Sequence, residues 1–156
     1  MKKTNAARLL DSAGIKYDLV EYVVDENDLS AIALATKIGQ DPEQIFKTLV
    51  LRGDRNGVFV CVVPGNAEVD LKKAARISGN KSSALVQQKE LFELTGYLRG
   101  GCSPLGMRKQ YPVFIDETCQ LFEHIFISAG KRGLQCKLNP DDLVKVTNSE
   151  VCDLAE

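Results

Sequence analysis

The chain has no tryptophan, a single histidine (His124) and no run of about 18 apolar residues. The last absence excludes a membrane-spanning helix. The lone histidine excludes a His-rich metal centre and leaves one ring for any Ser-His or Cys-His pair. An excess of either charge is missing too. Lys+Arg number 20 against 21 Asp+Glu, a formal net charge of −1. A protein that binds nucleic acid by bulk charge is basic, so any such contact here must use a local patch. The five cysteines (Cys61, Cys102, Cys119, Cys136 and Cys152) are odd in number and contain no C-x-x-C. Their spacing fits neither a zinc site nor a redox pair, and they read as free thiols, mostly packed as small hydrophobes. The opening Met1-Lys2-Lys3-Thr4-Asn5 leads into an amphipathic segment rather than a signal peptide. The expectation is a cytoplasmic protein with no membrane partner, no metal and no organic cofactor.

What is present is an ordinary globular mixture: 156 residues, 44% hydrophobic and 26% charged. That length buries a core without staples. No repeat, low-complexity tract or linker interrupts it, so one domain over residues 1–156 is predicted. Thr4 to Ala13 reads as a helix stopped by Gly14, and Tyr17 to Val24 as a strand. Ser30 caps a second helix ending at Gly39, and Asp41-Pro42 opens one short turn. Lys47 to Arg52 and Val58 to Val63, around Asn56-Gly57, give a hairpin signal. Helices over Leu71 to Ile77 and Gln87 to Leu94 follow, then short strands at Val113 to Ile115, Ile125 to Ser128 and Leu134 to Leu138. Asn139-Pro140-Asp141-Asp142 starts a last helix. Hairpins with scattered helices imply an α+β fold with a mixed sheet.

Three features could carry chemistry. Lys47 shares a strand face with Leu49 and Leu51, which sets an ammonium at the edge of an apolar interior. Burial there would depress its pKa unless an anion accompanies it; the alternative is a lysine snorkelling to water. Gly96 to Gly106 holds four glycines and a proline, in a spacing that is neither a Walker loop nor a dinucleotide fingerprint. Its free N–H groups suit an anion or an oxyanion, and the alternative is a well-built turn. Ser128-Ala129-Gly130-Lys131-Arg132-Gly133 sets a basic pair between glycines, suited to phosphate or simply solvated. Lys72, Lys73, Arg76, Arg108 and Lys109 could extend it into a basic face. His124 reads as structural, and Tyr22 as pocket wall or core.

Taken in order, Phe46-Lys47-Thr48-Leu49, Leu71-Lys72-Lys73-Ala74-Ala75, Thr95 through Gly106, and Ser128 through Leu134 resemble the YbaK family. Its members are trans-editing deacylases of mischarged tRNA, related to the insertion domain of bacterial prolyl-tRNA synthetases. The resemblance implies a mixed, partly barrel-like sheet surrounded by helices. It makes Lys47 the essential catalytic residue and Gly100, Gly101, Cys102, Ser103 and Pro104 the substrate loop. Ser128 and Gly130 become the facing pocket edge, Tyr22 and Ser30 further substrate contacts, and Lys131 and Arg132 the tRNA phosphate contacts. Family members specific for cysteine often carry an aromatic residue where this chain has Leu29-Ser30, and an acidic one where it has Gln135.

An aminoacyl ester is already activated, so such an enzyme needs placement and charge stabilisation more than a strong nucleophile. The resemblance implies that the thiol of a cysteinyl substrate attacks its own carbonyl and leaves as a thiolactone, with a water or ribose hydroxyl serving other substrates. A near-neutral domain holds tRNA weakly, which makes prolyl-tRNA synthetase the expected partner. Two other readings stand beside this one: the same chemistry on alanyl-tRNA(Pro), and a non-catalytic module that grips an anion.

Overall fold

The computed structural model describes residues 3–156. Met1 and Lys2, the first residues of the amphipathic opening, lie outside them. The order is α1 (Asn5–Ser12), β1 (Tyr17–Glu21), α2 (Ala31–Ile38), β2 (Phe46–Gly53), β3 (Gly57–Pro64), α3 (Leu71–Ile77), β4 (Ser83–Leu85) and α4 (Gln88–Thr95). It continues with β5 (Val113–Asp116), β6 (Ile125–Lys131), β7 (Leu134–Leu138), α5 (Pro140–Thr147) and β8 (Glu150–Cys152). The α+β class holds. The strands form two open sheets, β1-β7-β6 and β4-β2-β3-β5-β8, rather than a closed barrel. The first is antiparallel. The second is mixed: β2 runs antiparallel to β3 and β4, whereas β3, β5 and β8 run parallel. A bridge between Ile45 and Phe126 joins the two sheets.

The β2–β3 hairpin forms where Asn56-Gly57 predicts it, with Gly57 at φ +75°, a conformation that suits a residue without Cβ. Alternation along β2 divides its side chains between two cores. Phe46 and Val50 enter the larger cluster with Val60, Val62, Ile125 and Ile127. Leu51 enters a smaller one with Phe59, Val63, Phe114 and Leu154, and Leu49 packs against it. Each fully buried side chain of this size contributes roughly 1.5–3 kcal/mol.

Helix starts follow their caps. Thr4, Ser30, Asp70 and Asn139 each accept a backbone N–H from the first turn of α1, α2, α3 and α5. One expectation needs correction, and two strands come without one. β1 stops at Glu21, three residues before Val24, because its partner β7 begins at Leu134, opposite Glu21. Two three-residue strands, β4 and β8, have no alternating apolar pattern to announce them and exist by pairing with β2 and β5.

The position of α2 is set by a close approach. A Cβ on Gly65, just after β3, would collide with the Cβ of Ala31 and reach 3.0 Å from the Ile45 carbonyl oxygen. Only glycine lets the start of α2 lie this close to the end of the hairpin. The C-terminal segment is fastened by the buried carboxylate of Asp116. It accepts N–H bonds from Leu154 and Ala155, both at 2.9 Å, and the Thr118 hydroxyl at 2.6 Å.

Candidate active site

Among the described residues, β4 pairs with Leu51–Gly53 of β2. The last hydrogen bond on that side runs from the Val86 N–H to the Val50 carbonyl at 3.0 Å. Between Val50 and the Ile45–Phe126 bridge, a short stretch of β2 centred on Thr48 is therefore an open edge among the described residues. Because backbone polar groups alternate along an antiparallel strand, the Thr48 N–H and C=O point to the same side as those of Val50. A cavity of about 600 Å³ lies along this edge. One wall comes from the start of α2 (Leu29, Ser30, Ile32), another from β4 and α4 (Leu85, Val86, Leu91), and the end from Gly100, Cys102, Ser128 and Gln135.

Lys47 lies in the lining, on the face of Leu49 and Leu51, as alternation requires. An anion does accompany it: its Nζ is 3.8 Å from Glu68 Oε1, with the Glu68 side chain 78% exposed and that of Lys47 27% exposed. Lys47 and Arg99 are the cations of the lining, and Glu68 is its one carboxylate among the described residues. The cavity's polar groups are incompletely used. Thr48 Oγ1 and Gln135 Oε1 are buried without a hydrogen-bond partner, and each such orphan costs about 1–3 kcal/mol until something donates to it. Gln135 on β7 stands opposite Ser128 on β6, and Ser128 Oγ accepts the Gly130 N–H at 3.1 Å.

Of the residues singled out in the sequence, Lys47, Ser30, Gly100, Cys102 and Ser128 meet in this cavity. Leu29, Leu49 and Gln135, noted there too, also line it, whereas Tyr22, Gly101, Ser103, Pro104, Gly130, Lys131 and Arg132 do not. Tyr22 lies one residue past β1, with its N–H on the Gly133 carbonyl at 3.0 Å. Gly101 is turned away: its N–H donates to Leu98 O at 3.0 Å, and a Cβ there would stand 3.0–3.1 Å from the backbone of Lys131 and Arg132. The expected run of free amides from Gly100 to Ser103 is thus broken at Gly101, and of these four residues Gly100 and Cys102 line the cavity. Ser103 is fully buried, with its Oγ accepting the Leu105 N–H, and Pro104 lines a separate groove. Gly130, at φ +104°, serves the bulge at the end of β6.

The basic features also resolve differently. Arg132 is engaged: it meets Glu26 at 2.7 Å and donates from Nε to Arg99 O at 2.7 Å, which braces the glycine loop. Lys131 is exposed. Lys73 pairs with Asp153 at 3.0 Å, and the Arg108 guanidinium sits 4.5 Å above the Phe92 ring centroid. His124 lines a groove that shares no residue with the cavity. Burial pushes the Cys102 thiol up to about 12, despite a side-chain bond with Thr95. The other four rise to about 11 or 12 for the same first reason, so no protein thiolate is available near neutral pH. Among the described residues, no three His, Cys, Asp or Glu side chains are grouped to hold a metal ion, and no helix is long and apolar enough to cross a membrane. Thr48 was signalled only as part of the Phe46–Leu49 motif, and Glu68 and Leu91 not at all; the last two reach the cavity through chain paths that no local pattern encodes.

Residues 25–146 match the family described as the aminoacyl-tRNA editing domain. The chain belongs to this family. EbsC of Enterococcus faecalis, named as a "Putative Cys-tRNA(Pro)/Cys-tRNA(Cys) deacylase", is 43% identical over 153 residues, covering 98% of this chain and 93% of EbsC. A crystal structure titled as "a putative trans-editing enzyme for prolyl tRNA synthetase" superposes with a TM-score of 0.84 at 28% identity, covering 99% of both chains. The proline–tRNA ligase of Fervidobacterium nodosum is 29% identical over 89 residues, covering 57% of this chain and 15% of the ligase. The editing-domain match spans α2 to α5 and so contains every residue of the cavity.

Proposed function

We propose that residues 1–156 act as one trans-acting editing domain that deacylates mischarged tRNA(Pro), with the cysteinyl ester as its main substrate. The observation that carries this reading is the open β2 edge: a cation, Lys47, beside a cavity whose buried Thr48 and Gln135 oxygens lack donors. A free α-ammonium group brings such donors, and an aminoacyl ester brings a carbonyl that needs positive charge as it becomes an oxyanion. Lys47 supplies that charge, and the backbone N–H groups at Gly100 and Cys102 hold the carbonyl. Ser30, Ser128 and the apolar side chains of Leu29 and Leu91 shape the remainder. Tyr22, Gly101, Ser103, Pro104 and Gly130 act through the loop and strand ends they fix. Lys131 is left as the free cation of its pair for a phosphate.

With no histidine or thiolate in the cavity, the nucleophile comes from the substrate. The cysteinyl sulfur bonds to its own carbonyl carbon, the bond from that carbon to the ribose oxygen breaks, and the thiol proton ends on the ribose hydroxyl. The products are a thiolactone and free tRNA. Intramolecular attack of this kind is worth effective molarities up to about 10⁵–10⁸ M. Prolyl-tRNA synthetase is the partner this reading requires, since the domain itself has a net charge of −1.

Alanyl-tRNA(Pro) is the second reading. It is favoured by the leucines of the cavity wall, against which a methyl group packs as well as a thiol does. The test compares Cys-tRNA(Pro), Ala-tRNA(Pro) and Pro-tRNA(Pro) as substrates, with the released product identified by mass. Rapid loss of the cysteinyl ester with thiolactone release supports the proposal. Free cysteine would replace cyclisation by hydrolysis, preference for alanine would select the second reading, and no acceleration on any ester would refute both.

A further inference from the structure

The cavity accounts for an aminoacyl group but not for the strand that carries it. We infer that a rigid cationic corner beside β4, presenting Arg55, Lys72, Arg76 and Lys81, binds the phosphates of the RNA strand whose 3′ end enters the cavity. The inference rests on the deacylase reading for the identity of that strand.

Three segments meet at the corner, and hydrogen bonds lock them together. The side chain of Asn80, itself only 7% exposed, accepts the N–H groups of Arg55 and Asn56 at 2.9 and 2.8 Å. Asn56 Nδ2 donates to the carbonyls of Ser78 and Gly79 at 2.9 and 3.1 Å. Asp54 Oδ1 accepts the N–H groups of Lys81 and Ser82 at 2.9 and 3.0 Å. The hairpin turn, the end of α3 and the start of β4 therefore form one fixed platform, which lowers the ordering cost of a contact made there.

The cations on this platform are unspent. Arg55, Lys72, Arg76 and Lys81 are all exposed, and none belongs to an ion pair among the described residues. Lys72 and Arg76 stand four positions apart on α3 and so share a helix face. Two carboxylates lie close by, but both are turned to backbone: Asp54 to Lys81 and Ser82 just before β4, and Asp70 to the first turn of α3. By contrast Arg132, in the turn that looked suited to phosphate, is committed to Glu26. In a chain of net charge −1, this concentration of free cations is complementary to a polyanion.

Position links the corner to the cavity. Ser83 Oγ donates to Leu71 O at 2.8 Å, so α3 lies along β4, whose far end, Leu85, lines the cavity. From Lys81 to Leu85 an extended chain covers about 13 Å. At about 3.4 Å per stacked nucleotide that is roughly four nucleotides, the length of the unpaired 3′ end of a tRNA. Arg55 and Lys81 would meet phosphates where the single strand joins the acceptor stem.

The test is charge reversal in the full-length protein with Arg55→Glu/Lys81→Glu. Binding of uncharged tRNA is followed by fluorescence anisotropy across a salt series, and turnover is measured on full cysteinyl-tRNA and on a cysteinyl-CCA fragment too short to reach the corner. The expected result is about tenfold weaker tRNA binding, a salt slope shallower by about 2, and a raised KM for tRNA alone, with the fragment unaffected. Unchanged tRNA affinity and slope would overturn the inference, and so would an equal rise in KM for the fragment. If wild-type protein deacylates no ester, the deacylase reading fails, while loss of uncharged-tRNA binding in the variant would still support an RNA-binding corner. A thermal melt matching wild type confirms that the fold is retained, and Lys72→Gln/Arg76→Gln repeats the test without introducing new negative charge.

Discussion

Replacing Lys47 separates a structural lysine from a catalytic one, because the two roles predict effects of very different size. Its ion pair with Glu68, at 3.8 Å, is long, and the glutamate side chain is 78% exposed. An exposed pair of this kind contributes about 0.2–1 kcal/mol. Lys47 shares its strand face with Leu49, and Lys47→Met keeps a long apolar side chain there while removing the charge. For a chain of this length a loss of 1 kcal/mol lowers Tm by about 2–4 °C, so the variant should melt within about 3 °C of wild type. If the ammonium faces the developing oxyanion, its removal should cost what one preorganised donor supplies, roughly 10²–10³ in kcat. Single-turnover deacylation of cysteinyl-tRNA(Pro) at saturating enzyme reads this step directly, with a calorimetric melt beside it. The expected outcome is a rate loss of at least a hundredfold at nearly unchanged Tm. Turnover within about threefold of wild type would refute the role of Lys47, and a Tm drop of some 10 °C would make it a structural residue.

Other substitutions probe the surrounding frame. Cys102→Ala should keep the rate within about threefold, since a thiol held at about 12 is not a nucleophile at neutral pH; a loss near a thousandfold would make it one. Gly65→Ala should destabilise by about 1–3 kcal/mol through overpacking against Ala31 and also slow turnover by displacing the cavity wall at Ser30, which urea unfolding and the deacylation assay check together. Asp116 ties stability to pH. Burial raises its pKa, but hydrogen bonds from Thr118, Leu154 and Ala155 outweigh burial and hold it below the usual carboxylate value. Its contribution is therefore present above the unfolded value near 3.9 and lost as pH falls through the lower folded value. Asp116→Asn should cost about 1–3 kcal/mol at pH 7 and flatten the loss of stability below about pH 4, read by urea denaturation at both pH values.

The parts of this molecule that were legible in its sequence are those decided within a few residues. Asn56-Gly57 fixes the hairpin, Asp70 and Asn139 start their helices, and the alternation of Lys47 with Leu49 and Leu51 places the ammonium on its face. Where β1 ends was not legible, because the length of β7 decides it from over a hundred positions away. The pairing of Arg132 with Glu26 was hidden for the same reason: a basic residue between glycines looks free until the fold supplies an acid. Gln135 drew notice only as a departure from a family pattern. That its oxygen, like that of Thr48, is an orphan is a property of the packed cavity and of no sequence window.

The cavity wall has a consequence for how this protein comes to life. Its lining is drawn from seven separate stretches between Leu29 and Gln135, and the bridge from Ile45 to Phe126 that joins β2 to the β6 sheet closes a long loop. Such loops close late, after the local hairpin and helices have formed. During synthesis the β2–β3 hairpin can assemble early, but the cavity has no floor until β7 has emerged. A nascent or partly unfolded chain should therefore have no editing activity at all, and recovery of turnover during refolding should lag behind recovery of hairpin and helix signals. Activity would then report completion of the tertiary structure more faithfully than circular dichroism does.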